Sequence, residues 1–480
     1  MKRIVVSIFV AAFALCALPP VFAAKALVRL EGVSAEQIRQ MAARGDDIAK
    51  AGPGFVEVVL DEKQQAELAK TKKAHAKLIP DLDAYVAKVV ANQRRGEQYY
   101  TFETMAAQLE AWAKQYPNIC RLESIGKSCE GREIWALKVS DKPELDEKEP
   151  AVLVMGAHHA REWMSFEVPM ATIKGLIEGY GKDEQLTKLV DERETWFVPM
   201  VNPDGVAYTQ KSKYWRKNRR KNKDGSYGVD LNRNYGYKWG NTGSSNSGNS
   251  DTYHGPNAFS EPESCAIRDL AAREKFAASV SFHSYSELIL FPFGYAYNVP
   301  TPDHDLLAKL AGEMSKFNRY TPENSADLYP AMGDSDDYLY GTEKILAFTF
   351  ELGQTFIPPA AEIKEMNALN VPAIFHLIDK AGTYGLVTPA GQETIPALGT
   401  RTAVAALADL STVAMNNDQA AKALTKLQNE LAARIAGEQA QGLTSTVEAV
   451  RSGARAPVVQ AVLQEAAQRA SFDALHNAAR

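Results

Sequence analysis

The sequence predicts an α/β fold: a mixed, mostly parallel twisted sheet flanked by helices, with a small α+β domain before it and a helical extension after it. Short continuous apolar runs recur at 151–155, 196–201, 277–282 and 345–350, the pattern of strands buried on both faces. Between them lie longer amphipathic stretches, near 163–178, 261–275 and 303–317, that read as helices. Strands alternating with helices give a largely parallel sheet, and such sheets bind ligands beyond the carboxyl ends of their strands. Polar residues that directly follow the apolar runs are therefore the first candidates for chemistry.

Taken in chain order, the first element is an address. Lys2 and Arg3 precede an apolar stretch over 4–18, and Val21-Phe22-Ala23 offers small residues for cleavage. Residues 1–23 are expected to be a signal peptide that makes the mature protein secreted or periplasmic. The alternative is a membrane anchor, but the stretch is short for a span and is followed by Pro19-Pro20. No other run approaches transmembrane length, so no membrane span is expected in the mature form. A chain of 480 residues exceeds one ordinary core, and 45% hydrophobic with 24% charged residues is usual for a soluble globular protein. The net charge of -5 gives no sign of nucleic-acid binding.

Residues 24–98 read as a separate small domain, with strands at 26–30 and 55–60, helices at 34–43 and 61–70, and a third strand at 75–79. Ser34 with Gln37 three residues later has the form of a capping box. The polar run Asn92-Gln93-Arg94-Arg95-Gly96-Glu97 reads as a linker in which Arg94-Arg95 is open to a trypsin-like protease, the alternative being a solvated turn. Beyond the signal peptide the cysteines are Cys120, Cys129 and Cys265. Cys120 and Cys129 flank an expected hairpin around Ile125-Gly126-Lys127 and form the expected disulfide, the alternative being three buried thiols.

The segment Gly156-Ala157-His158-His159-Ala160-Arg161-Glu162-Trp163 follows the first apolar run directly. His283 ends the run at 277–282, which is 283 − 162 = 121 residues beyond Glu162, and Glu351 ends the run at 345–350. Hydrolytic zinc commonly takes two His and one Glu and leaves its fourth position to water. His-x-x-Glu alone recurs by chance, and its bland reading is a surface or capping pair. Three ligand-competent residues, all at strand ends, make the metal reading the stronger one. For Glu351 the bland reading is a solvated acid, against which stand the apolar residues that lead into it.

Residues from about 99 to 384 resemble the zinc metallocarboxypeptidases of the pancreatic carboxypeptidase A/B family, including its secreted bacterial members. The resemblance rests on ordered motifs: His159-Ala160-Arg161-Glu162-Trp163, Asn202-Pro203-Asp204-Gly205, Tyr214-Trp215-Arg216-Lys217, Val229-Asp230-Leu231-Asn232-Arg233-Asn234, Ser281-Phe282-His283-Ser284-Tyr285-Ser286 and Phe348-Thr349-Phe350-Glu351-Leu352. It implies one Zn2+ held by His159, Glu162 and His283, with Glu351 as general base and acid and Arg216 as the oxyanion donor. Without it, Arg216 reads as one cation of a basic loop at 211–223. The resemblance further implies that Asn232 and Arg233 hold the terminal carboxylate of a peptide substrate, since a guanidinium clamps a carboxylate through two parallel hydrogen bonds. Asp230 would orient His159, Tyr329 would close over substrate, and Tyr285, joined to Ser284 by a cis peptide bond, would line the site. Arg161 and Lys213 would add positive potential along the approach, with Lys213 standing where the family usually has Arg.

Counting seven residues on from Tyr329 puts the family's pocket floor at Asp336, with Asp334 or Asp337 there if the loop shifts by one residue. An acid at that position implies acceptance of C-terminal Lys or Arg, and bacterial relatives that have it also cut apolar residues. The segment 24–98 would then be an activation domain, removed by an activating protease from a catalytic domain at 99–384; the alternative is a permanent folding or binding module. Residues 385–480 lie outside the resemblance and are Ala-rich with strong helix propensity, which predicts a helical extension of unread role. Two rivals stay open at this point: a zinc hydrolase of cell-wall peptides or acyl-amino acids, and a non-catalytic module that keeps the fold.

Overall fold

The computed structural model describes residues 25–71, 73–93 and 98–384. The expected signal peptide, the Arg94-Arg95 cleavage point and the C-terminal extension lie outside the described residues. Two sheets organise the rest.

The smaller sheet has strands β1 (Ala26–Val33), β2 (Ile48–Gly52), β3 (Gly54–Leu60) and β4 (His75–Ile79), in the order β2-β3-β1-β4. All its pairs are antiparallel. Ser34 caps the helix Ala35–Ala43 and Asp61 caps the helix Glu62–Ala69, each through a capping box with a Gln at the third helical position. Alternation along β1 divides its work: Ala26, Val28 and Leu30 build a core with Ile38, Met41, Val56 and Val58, whereas Leu27 and Val59 join the larger core on the opposite face. Two elements add to the expected set. These are β2 and a third helix, Leu82–Ala91, whose Leu82, Val86 and Val89 pack into the larger core.

The larger sheet has eight strands: β5 (Cys120–Lys127), β6 (Glu133–Val139), β7 (Ala151–Met155), β8 (Glu194–Val198), β9 (Ala278–His283), β10 (Leu288–Phe291), β11 (Thr321–Asn324) and β12 (Leu346–Glu351). Their order is β11-β10-β12-β9-β7-β8-β6-β5. The four central strands β12, β9, β7 and β8 run parallel, as do β10 and β11, while β5, β6 and the β10–β12 pair make it a mixed sheet. Helices Met164–Gly179, Pro262–Glu274, His304–Asn318 and Ile363–Lys380 flank it. Among the described residues no helix is long and apolar enough to cross a membrane.

Three expectations need correction. The strand expected at 196–201 begins at Glu194 and ends at Val198. Pro199 has no N–H to continue the ladder, and Met200 and Val201, though buried, lie in the following loop. The hairpin turn runs through 128–132, not 125–127: Ser128 N donates to Arg132 O and Gly131 has a φ of 85°, while Gly126 sits at a register shift inside β5. Consequently Cys120 is the first residue of β5 and Cys129 lies two residues past its other end, on the order of 25 Å away by strand rise, too far for the expected bridge. Cys120, Cys129 and Cys265 are all free thiols.

Candidate active site

Every group of the expected zinc set comes from the carboxyl ends of the parallel strands. β7 ends at Met155 and its following loop carries His159 and Glu162, while His283 and Glu351 are the last residues of β9 and β12 and face each other in register. All three proposed ligands are buried, none more than 4% exposed.

His159 Nδ1 lies 2.8 Å from Glu162 Oε1, and His283 Nδ1 lies 2.9 Å from Glu162 Oε2 and 3.1 Å from His159 Nδ1. Two imidazole nitrogens and a carboxylate thus converge on one point, where at most one proton can sit between the nitrogens. That donor set suits a divalent cation, and the ligand-competent atoms all lie within 4.8 Å of one another. Asp230 Oδ1 lies 3.1 Å from His159 Nε2, which fixes the ring proton there and leaves Nδ1 its inward lone pair. His158, adjacent in sequence, is not in the set: its ring bonds the Tyr235 hydroxyl at 2.8 Å and the Ser281 hydroxyl at 3.2 Å. Burial pushes the Glu162 carboxyl upward, but the two imidazoles beside it prevail and hold it below the usual carboxylate range.

Arg216 is fixed on the same acid. Its Nε and Nη2 donate to Asp230 Oδ2 at 3.0 and 2.8 Å, leaving Nη1 at 3.8 Å from Glu162 Oε1. Burial opposes ionisation of Asp230, yet Arg216 and His159 keep it well below the usual range. Glu351 shows the reverse: burial, followed by Glu162, raises its carboxyl well above the usual value.

A second group of residues gathers on the short helix Ser335–Gly341. Asn232 Oδ1 accepts from Ser335 N at 2.9 Å, tying Asn232 and Arg233 to the segment that carries Asp336. Arg233 donates to Gly243 O at 2.7 Å, to Asn232 O at 2.6 Å and to the Tyr329 hydroxyl at 3.3 Å. Although Arg233 is buried, no carboxylate among the described residues lies within ion-pair distance of it. The three neighbouring acids differ sharply. Asp334 caps the helix by accepting from Asp337 N, and Asp337 accepts from Gly294 N and Tyr295 N at 2.7 and 2.9 Å. Asp336 Oδ1 is buried with no hydrogen-bond partner. Burial, reinforced by Asp334, pushes the Asp336 carboxyl up to about 8.

The N-terminal sheet lies over this site. Asp47, just before β2, accepts from Arg161 Nη1 and Nη2, both at 2.7 Å, and comes to 3.9 Å from Arg216 Nη1. Glu57 on β3 accepts a short hydrogen bond from the Tyr285 hydroxyl, and Asp83 accepts from Tyr214 N at 3.0 Å. Arg161 is therefore not an open approach residue here: it is fully buried, because Asp47 covers it. Lys213 donates to Gln210 O at 3.0 Å, and the Ser284–Tyr285 peptide is cis. Asp47 and Glu57 were not singled out from the sequence; the only local signal is an Asp pair in the turn Gly45-Asp46-Asp47.

The family of zinc carboxypeptidases matches residues 105–373. A zinc carboxypeptidase of Saccharothrix mutabilis subsp. capreolus is 39% identical over 268 residues, covering 53% of this chain and 62% of that protein. Human carboxypeptidase B is 32% identical over 292 residues, 58% of this chain and 69% of the other. The chain thus spans less than two thirds of the Saccharothrix protein. The crystal structure of carboxypeptidase A from Helicoverpa armigera superposes with a TM-score of 0.68 at 25% identity, over 76% of this chain and 100% of the other. A matching family over more than half of the chain, the shared fold and the convergent His159, Glu162 and His283 together place this chain in the zinc carboxypeptidase family.

Proposed function

We propose that this protein is an exported zinc carboxypeptidase, made as a precursor, that releases single C-terminal residues from peptides and proteins, favouring Lys and Arg with some acceptance of apolar residues. The observation that carries this reading is a buried Arg233 without an acid partner, tied through Asn232 and Ser335 to Asp336, an acid without a cation. A peptide ending in Lys or Arg supplies both missing charges, its α-carboxylate for Arg233 and its side chain for Asp336. The carboxypeptidase B likeness supports the basic preference.

Zinc, when bound by His159, Glu162 and His283, supplies Lewis acidity toward the scissile carbonyl and activates water. Glu351 takes the proton from the attacking water and returns it to the departing amine, a task that its place at the end of β12, in register with His283, allows. Arg216, held by Asp230, donates to the developing oxyanion. Asn232 and Arg233 fix the substrate's terminal carboxylate, so the bond presented is the last one. Tyr329, whose hydroxyl already lies against Arg233, closes the site over it.

Residues 24–98 act in this reading as an activation segment over the catalytic domain at 99–384. The Asp47–Arg161 pair and the Glu57–Tyr285 bond support it, because both occupy residues assigned to substrate. Residues 1–23 direct export, and an activating protease cuts near Arg94-Arg95. The test is release of single amino acids from blocked dipeptides ending in Arg or Phe, before and after trypsin trimming. Trimming should switch activity on, Arg should be released faster than Phe, and a chelator should abolish both. A precursor as active as the trimmed protein would defeat the zymogen reading, and chelator-insensitive activity the metal reading.

A further inference from the structure

Two of the helices that flank the larger sheet, His304–Asn318 and Ile363–Lys380, run antiparallel: Asn318 bonds Asn370 at 3.0 Å, and further along Glu313 Oε2 lies 3.0 Å from His376 Nε2. Lys309, Glu313 and Phe317, spaced by four, form a ridge on the first helix, and Leu369, His376 and Lys380 form one on the second, with a groove between them. The Glu313–His376 pair makes its middle polar, whereas one end is apolar. There Phe317 is 42% exposed with its ring 5.5 Å from that of His376, and Leu369 is 37% exposed. The hydrogen bond between their chain neighbours, Asn318 and Asn370, holds the two positions close. A lone exposed apolar side chain is ordinary, but two on the adjoining flanks of one helix pair make a strip that a third helix can cover.

The chain itself supplies that helix. Tyr384, the last described residue, lies at the other end of the groove, where Lys309 Nζ stands 5.0 Å from its ring centre and its hydroxyl is 3.5 Å from Glu313 Oε2. The chain thus leaves the helix Ile363–Lys380 along this groove, and 480 − 384 = 96 residues follow. Among them Leu424, Leu427, Leu431 and Ile435 are spaced by three, four and four, a single helical stripe with Lys422, Lys426 and Glu430 on the opposite side. As a helix the stripe is about 16 Å long, the same as the ridge from Leu369 to Lys380. The later stretch 457–469 is the poorer match, with one Leu and three Val. Asp418 is 418 − 384 = 34 residues beyond Tyr384, and even a coil of that length has an end-to-end distance of about 30 Å. The tether therefore presents the stripe to the groove at a roughly millimolar concentration, at which a dissociation constant of about 0.1 mM keeps the contact about 90% closed.

We propose that residues 418–436 pack as a helix in the groove between the helices His304–Asn318 and Ile363–Lys380, with the stripe from Leu424 to Ile435 laid on Phe317 and Leu369. The C-terminal extension is then an intramolecular cover for the apolar strip. None of the residues assigned to metal or substrate takes part, so this contact holds or fails apart from the carboxypeptidase reading.

The test uses the untrimmed full chain with a photoreactive benzophenone side chain in place of Phe317, irradiated as an equal mixture of unlabelled and 15N-labelled protein, with cross-links mapped by mass spectrometry. They should fall within 418–436 of the same chain. In the unmutated chain the amides of 418–436 should exchange about tenfold more slowly than in Phe317→Asp or in Leu427→Asp. Leu427 lies in the extension, so its substitution decides the matter even if Phe317→Asp fails to fold. Cross-links joining labelled to unlabelled chains would make the occupant a second copy, and cross-links to 457–469 would make it the other stretch; either overturns the inference. So would the absence of any cross-link to the extension, exchange in 418–436 at the unprotected rate, or protection that survives Leu427→Asp.

Discussion

Asp336 has neighbours on both sides with the same side chain, and their roles separate only because the backbone uses two of them. Asp334 and Asp337 accept backbone N–H groups, which leaves Asp336 as the acid with an unpartnered buried oxygen. Its carboxyl, raised to about 8 by burial and by Asp334, is mainly neutral at pH 6 until a cation arrives. In the proposed reading, binding a C-terminal Arg ionises it and releases a proton, so binding strengthens as pH rises toward 8 and levels off above. We therefore expect KM for a peptide ending in Arg, divided by KM for its Phe counterpart, to fall between about pH 6 and pH 8 and then flatten. In Asp336→Asn the ratio should be higher and independent of pH; a pH-independent ratio in the unmutated enzyme would move the floor elsewhere. Counting from Tyr329 singles out this stretch of acids, but which of three aspartates stays free depends on an N-cap and on the approach of Gly294, neither visible in a linear reading. His159 and His283 were easier, because each follows an apolar run that marks a strand end.

Elements were legible where one periodicity governed them. The four central strands and the helices between them followed from apolar runs and amphipathic stretches, whereas the β5–β6 turn was misplaced because Gly126 resembles a turn residue but serves as a bulge. The turn between the helix Ala35–Ala43 and β2 was not foreseen, and it is what seats the N-terminal sheet. Ala42 O accepts from Gly243 N at 3.0 Å and Gly45 O from Thr252 Oγ1 at 2.6 Å. Gly45 has a φ of 72°, and a Cβ there would stand 2.3 Å from Ser244 O. Gly45→Val combines backbone strain with a backbone clash, a loss of about 1–3 kcal/mol located at the seat of Asp47. Each 1.4 kcal/mol taken from the closed state raises the open fraction about tenfold. The untrimmed Gly45→Val protein should therefore hydrolyse a blocked dipeptide about fivefold to a hundredfold faster than the untrimmed parent. Equal rates would show that this turn does not hold the cover in place.

For the whole molecule, the contacts that matter most join parts far apart in the chain, and no local pattern announces them. Asp47 and Arg161 are separated by 114 residues, and the acids on β3 and on the helix Leu82–Ala91 meet partners just as remote. The metal set has the same character: Glu162 and His283, 121 residues apart, bring the loop after β7 against the end of β9. A cation at that point cross-links the two central strands where buried lone pairs otherwise face one another, so binding it adds directly to folding free energy. At a thousandfold excess over the dissociation constant the gain is about 4 kcal/mol, which for a domain of this size is roughly 10 °C in Tm. Chelation of the trimmed enzyme should lower its Tm by that order, and added Zn2+ should restore it while Mg2+, which favours oxygen ligands in octahedral geometry, should not. Asp230→Asn should weaken Zn2+ binding about 10- to 100-fold, because it removes the charge that orients His159, and so shift the restoring concentration upward. A Tm indifferent to chelation, or restored equally by Mg2+, would mean that His159, Glu162 and His283 converge for a reason other than zinc.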